Sequence, residues 1–152
     1  AGFEDWQALK QGIKPMTTRA SEPAPCATLL VAEPQLFVAN IGRSCDFFVG
    51  KLGFRVAFTY GTPPFYAQVF RDGARLNLRC VDGPVFEAGF RERVVDALSA
   101  SITVDDAKPL FLEFQATGAD FHHTLRTEPW GARTFIIRDP DGNLILFAGP
   151  GG

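Results

Sequence analysis

Val38-Ala39-Asn40-Ile41 returns further along the chain as Val104-Asp105-Asp106-Ala107, and Phe70-Arg71-Asp72-Gly73 returns as Ile137-Arg138-Asp139-Pro140-Asp141-Gly142. The offset stays near 66–69 residues, so the chain reads as two copies of one unit of about 50 residues. Each copy opens with a strand that leads into a helix. Asn40 and Asp106 are N-cap residues, whose side-chain oxygens accept from otherwise unpaired amides. Ile41, Cys45, Phe48, Val49 and Leu52 share one helical face; Ala107, Leu110, Phe111 and Phe114 share another. Pro109 falls in a first turn, and Gly53 and Gly118 supply left-handed stops. Three strand-like runs follow each helix: 55–60, 65–71 and 74–81, then 119–124, 133–139 and 143–148. The expected class is α+β: two tandem βαβββ modules forming a curved mixed sheet with helices on its outer face. One domain, residues 33–149, holds modules 33–81 and 98–148. The linker 82–97 carries Val85, Phe86, Phe90 and Val94 at the spacing of a short helix.

The 32 residues before this domain read as an extension, small, polar and proline-bearing from Thr17 to Pro25. Met16 is the only methionine; either translation starts there and 1–15 are not native, or this is an ordinary processed N-terminus. Trp6, Leu9 and Ile13 have helical spacing. With 46% hydrophobic and 21% charged residues, the composition is that of a soluble globular protein. A net charge of −2 argues against nucleic acid as partner, and no apolar run is long enough to span a membrane. Cys26, Cys45 and Cys80, odd in number and without metal-like spacing, indicate reduced thiols and a cytoplasmic location.

Strand parity divides the sheet residues into two sets. Leu36, Val38, Leu76, Leu78, Cys80, Ala100, Ile102, Val104, Ile145 and Phe147 form an apolar set that packs under the helices. The opposite set mixes Glu33, Gln35, Phe37, Arg75, Asn77, Arg79, Ser99, Ser101, Thr103, Leu144 and Leu146. Such a mixture suits a concave wall whose few polar groups orient a mostly apolar ligand. A solvent-facing sheet surface is the alternative.

Residues 34–41 through Lys51-Leu52-Gly53-Phe54, then Ile102-Thr103-Val104-Asp105-Asp106, carry a family pattern. The run from Pro129-Trp130-Gly131-Ala132-Arg133 through Asp139-Pro140-Asp141-Gly142-Asn143-Leu144-Ile145 carries it most specifically. Over residues 33–148 the chain resembles the vicinal oxygen chelate superfamily: glyoxalase I, extradiol dioxygenases, fosfomycin-resistance enzymes and bleomycin-resistance proteins. Metal-dependent members hold a divalent ion at four equivalent places. The resemblance puts these at Glu33, Asn77, Ser99 and Leu146, of which only Glu33 is an ordinary ligand. The two histidines, His122 and His123, lie outside that pattern, and as strand neighbours they should face opposite sides. No metal or other cofactor is expected.

What remains is similar to the bacterial bleomycin-resistance branch, which sequesters a drug without metal. The resemblance implies a homodimer enclosing two equivalent grooves. The ligand-binding residues expected are Phe37, Phe58, Tyr60, Tyr66, Asn77, Arg79, Ser101, His123, Trp130 and Leu146, with Phe65 a further aromatic. Trp130 lies in a Pro-Trp-Gly loop that displays it at a rim. Arg75 and Arg79, with Arg71 and Arg133 nearby, favour a planar neutral or anionic aromatic over cationic bleomycin. Alternatively these arginines form surface pairs with Asp82, Glu87 and Glu92. The competing class is an enzyme, a glyoxalase- or dioxygenase-like relative or a metal-free one with His123 as base and Glu33 or Glu113 as its carboxylate partner. No nucleophile motif or phosphate-binding loop accompanies it. An interaction module without a small ligand finds no support in charge runs or low-complexity segments.

Overall fold

Asn40 and Asp106 stand in extended backbone, and their side chains accept from Arg43 N and Lys108 N, so each helix begins where its cap is placed. The computed structural model describes residues 26–152; the Trp6-Leu9-Ile13 segment and the Met16 start lie outside the described residues. The fold is carried by Glu33–Gly152. In chain order it contains β1 (Gln35–Val38), α1 (Ile41–Leu52), β2 (Arg55–Tyr60), β3 (Tyr66–Arg71) and β4 (Ala74–Cys80). The linker holds α2 (Phe90–Arg93), and β5 (Ala100–Thr103), α3 (Ala107–Ala116), β6 (Phe121–Thr127), β7 (Arg133–Arg138) and β8 (Leu144–Gly149) follow. Gly53 ends α1 at φ 69, with Phe54 N donating to Phe48 O at 2.9 Å.

The two βαβββ modules each form a four-stranded mixed sheet, ordered β1-β4-β3-β2 and β5-β8-β7-β6. The first strand of each lies parallel to the last, and the remaining pairs are antiparallel. α1 and α3 each pack on the sheet of their own module. Phe48, Leu52 and Phe54 then join Phe114, Phe135 and Phe147 in one buried cluster, where the Phe135 and Phe147 rings stack at 5.1 Å.

Polar ties cross between the modules. Asp139 Oδ1 accepts from Asp141 N and Asn143 N, which shapes the β7–β8 turn. Asn143 Nδ2 then donates to Phe37 O at 2.8 Å, and Arg43 reaches Asp141 at 2.6 Å. The aspartate-rich run is thus a structural clamp.

Three expectations require correction. Leu144, assigned to the open wall, is fully buried. The linker helix is a single turn, Phe90–Arg93, with the rest of the segment irregular. β6 runs to Thr127 and its register against β7 slips twice, between Phe121 and His123 and again before Arg126. Each slip inserts an extra residue, so alternation no longer tells which way a side chain points.

Candidate functional site

On the first sheet the pairing registers line up two adjacent rows on the face turned away from α1. One row is Gln35–Asn77–Gln68–Phe58; the next is Phe37–Arg79–Tyr66–Tyr60. All six first-module residues singled out in the sequence fall in these rows. Phe58 stacks on Tyr66 at 6.3 Å, and Tyr60 meets Phe65 edge-on at 5.6 Å. Phe37 and Phe58 are each 46% exposed and Tyr60 is 67% exposed, an unusual state for neighbouring aromatics on a sheet. Arg79, exposed between Phe37 and Tyr66, has no hydrogen-bond or ion-pair partner among the described residues. Arg75 donates to Gln68 Oε1 at 3.1 Å and lies over the Phe70 ring. Neither pairs with Asp82, Glu87 or Glu92. Arg71, expected near the wall, instead binds Glu113 of α3 through two bonds, of 2.6 and 2.9 Å.

The four positions at which relatives hold a metal do not fit one here. Glu33 Oε2 accepts from the amide groups of Gln68 and Asn77, at 3.0 and 3.2 Å. Asn77 therefore turns its amide nitrogen, a donor without a lone pair to share, toward that carboxylate. In the second sheet Ser99 donates to Asn143 Oδ1, and Leu146 offers no donor atom.

The second sheet carries the matching row Ser101–Leu146–Ile136–His123. Trp130 projects from the β6–β7 loop, 75% exposed. Glu128 accepts from Thr134 and Arg126, and these two hydrogen bonds hold its carboxyl below the usual glutamate range. The site residues thus form two groups, one per sheet.

The histidine pair is the second correction. Because of the bulge, His122 and His123 both reach one carboxylate oxygen, Asp96 Oδ1, at 2.7 and 3.0 Å. The partner of His123 is Asp96 of the linker; Glu113 is held by Arg71 and Glu33 by the amides. The hydrogen bond from His122, reinforced by that from His123, keeps Asp96 below the usual carboxylate range. Arg138 Nη2 completes the group at 2.8 Å from His122 Nδ1. Sequence reasoning missed Asp96 and Arg138, since neither parity nor spacing links a linker aspartate to a bulged edge strand.

The family model of the Glyoxalase/Bleomycin resistance protein/Dioxygenase superfamily matches residues 29–147. The chain belongs to this superfamily. Bleomycin resistance proteins of Geobacillus stearothermophilus and Staphylococcus aureus are each 28% identical to it over 130 residues, covering 78% of this chain and 96% of theirs. Among solved structures, the bleomycin-binding protein of Streptomyces verticillus, complexed with copper(II)-bleomycin, is 26% identical. That match covers 84% of this chain and 99% of the other, with a TM-score of 0.63. As a superfamily member, the chain is thus similar to proteins of the bleomycin-resistance branch that the sequence pattern suggested.

Proposed function

We propose that this protein binds and sequesters a small planar aromatic molecule, neutral or anionic, as a resistance-like activity in the cytoplasm, with no metal at the four family positions. The observation that carries the reading is the open aromatic face of the first sheet, with Arg79 unpartnered in its middle. A guanidinium there can stack on a ring and pair with a carboxylate or phenolate. Named relatives that confer bleomycin resistance support sequestration; the arginine on the wall favours a different charge of ligand.

A groove needs two walls. Four half-exposed aromatics (Phe37, Phe58, Tyr60 and Phe65) leave roughly 400 Å² of ring surface open, within the size range of functional patches. Covering it would contribute about 10 kcal/mol at 25 cal/mol/Å². That is of the same order as the cost of association, so a ligand or a second wall must add to it. In this reading a second copy supplies that wall. Phe37, Phe58, Tyr60, Tyr66, Asn77 and Arg79 of one copy face Ser101, His123, Trp130 and Leu146 of the other, and twofold symmetry makes two such grooves.

The test is a tryptophan-fluorescence titration with matched anionic, neutral and cationic planar aromatics, bleomycin among the cations. The anionic series should bind tightest, and Arg79→Ala should weaken it by roughly tenfold or more while leaving neutral ligands nearly unchanged. Tighter binding of bleomycin than of any anion would overturn the proposed ligand class.

A further inference from the structure

Asp96 leaves the linker at φ 61, a backbone conformation uncommon outside glycine, asparagine and aspartate. It meets two imidazoles that a β-bulge has turned toward it. One ligand atom from each of Asp96, His122 and His123 can be chosen so that all three lie within 4.8 Å of one another. Around a tetrahedral ion with bonds of about 2.0–2.1 Å, neighbouring donor atoms stand roughly 3.3 Å apart. The two nitrogen–oxygen separations, 2.7 and 3.0 Å, need to open by roughly 0.6 and 0.3 Å to reach that spacing. Two imidazoles and one carboxylate form the donor set of zinc-class ions.

We propose that Asp96, His122 and His123 form a site for a zinc-class divalent ion, distinct from the family's metal positions on the first and last strands of each module. The three groups are only partly buried, which leaves a fourth coordination position open to solvent. His123 sits in the row with Ile136, Leu146 and Ser101, so this site adjoins the second wall.

Arg138 competes with the ion. Its Nη2 donates to His122 Nδ1, which places the imidazole proton of neutral His122 on Nε2, the atom that would bind metal. Coordination moves that proton to Nδ1, so two donors would then face each other. Arg138 must withdraw, and its Nη1 already reaches Asp120 Oδ2 at 3.3 Å. Its positive charge further opposes the ion. Removing Arg138 should therefore tighten metal binding, which a merely structural hydrogen-bond cluster would not do.

The experiment uses the untagged full chain, stripped with chelator, then titrated with Zn²⁺ against a fluorescent competitor and with Co²⁺ by visible absorption. One ion per chain is expected, with a four-coordinate Co²⁺ spectrum. His123→Ala and Asp96→Asn should each lower affinity by more than about tenfold, and Arg138→Gln should raise it several-fold. Circular dichroism melts on each variant separate lost ligation from lost folding. Failure to bind stoichiometrically at micromolar free zinc would overturn the proposal. So would affinity that His123→Ala and Asp96→Asn leave unchanged in folded protein. Weaker binding in Arg138→Gln would overturn the competition argument. None of these readouts depends on the aromatic ligand.

Discussion

Ser44 is fully buried on α1, yet its hydroxyl has no hydrogen-bond partner among the described residues. A buried unsatisfied group costs about 1–3 kcal/mol, and serine is also a weaker helix former than alanine. Ser44→Ala should therefore stabilise the protein by about 0.5–1.5 kcal/mol, read as a rise of a few degrees in Tm. A fall would mean that the hydroxyl does bond in solution. One residue away, burial pushes the Cys45 thiol up, with Asp46 adding to it. The thiolate is thus scarce at neutral pH, in keeping with the inert core cysteine expected from its helical face. Burial at this scale was legible because it follows from period alone: Leu36, Val38, Leu76, Leu78, Ile145 and Phe147 are all buried as their parity required. His122 and His123 were misread because parity assumes an unbroken register.

Between elements, the link from the end of β3 to α3 is the bidentate Arg71–Glu113 pair, which also ties Arg71 to Leu52 O. The hydrogen bond from Arg71 holds the Glu113 carboxyl below its ordinary range. A depressed carboxylate contributes stability above its unfolded value and loses it as pH falls through the lower folded one. Both side chains are partly exposed, so the contribution is about 0.5–1 kcal/mol after solvent screening. Glu113→Gln should cost that much at pH 7, and urea midpoints of the two proteins should converge below the ordinary glutamate range. A difference that persists there would assign the effect to packing. The limits of α1 and α3 were legible, because caps and stops are local: Asn40, Asp106 and Gly53 act within one turn of where they stand. The ends of β6 were not, since a strand's limits depend on a partner that sequence does not name.

For the whole molecule, the open face of the first sheet is the feature to test. If two copies close the groove, sedimentation equilibrium should give a dimer, and Phe58→Asp, a charge placed among half-exposed rings, should shift it to monomer. The same variant should lose aromatic-ligand binding, because one wall alone does not enclose the molecule. A wild-type monomer that still binds ligand would overturn the paired-wall proposal and leave single-face binding.

The sequence by itself determined the duplication, the α+β class, the limits of α1 and α3, and most of the core. All of these follow from periodicity and capping, which act over a few residues. Tertiary structure decided which charges meet. It joined Arg71 to Glu113, buried Leu144, and brought Asp96 across 26 residues to His122. The physical reason is that a bulge or an ion pair arises where separate elements come into contact, and its energy depends on a geometry that no local pattern encodes.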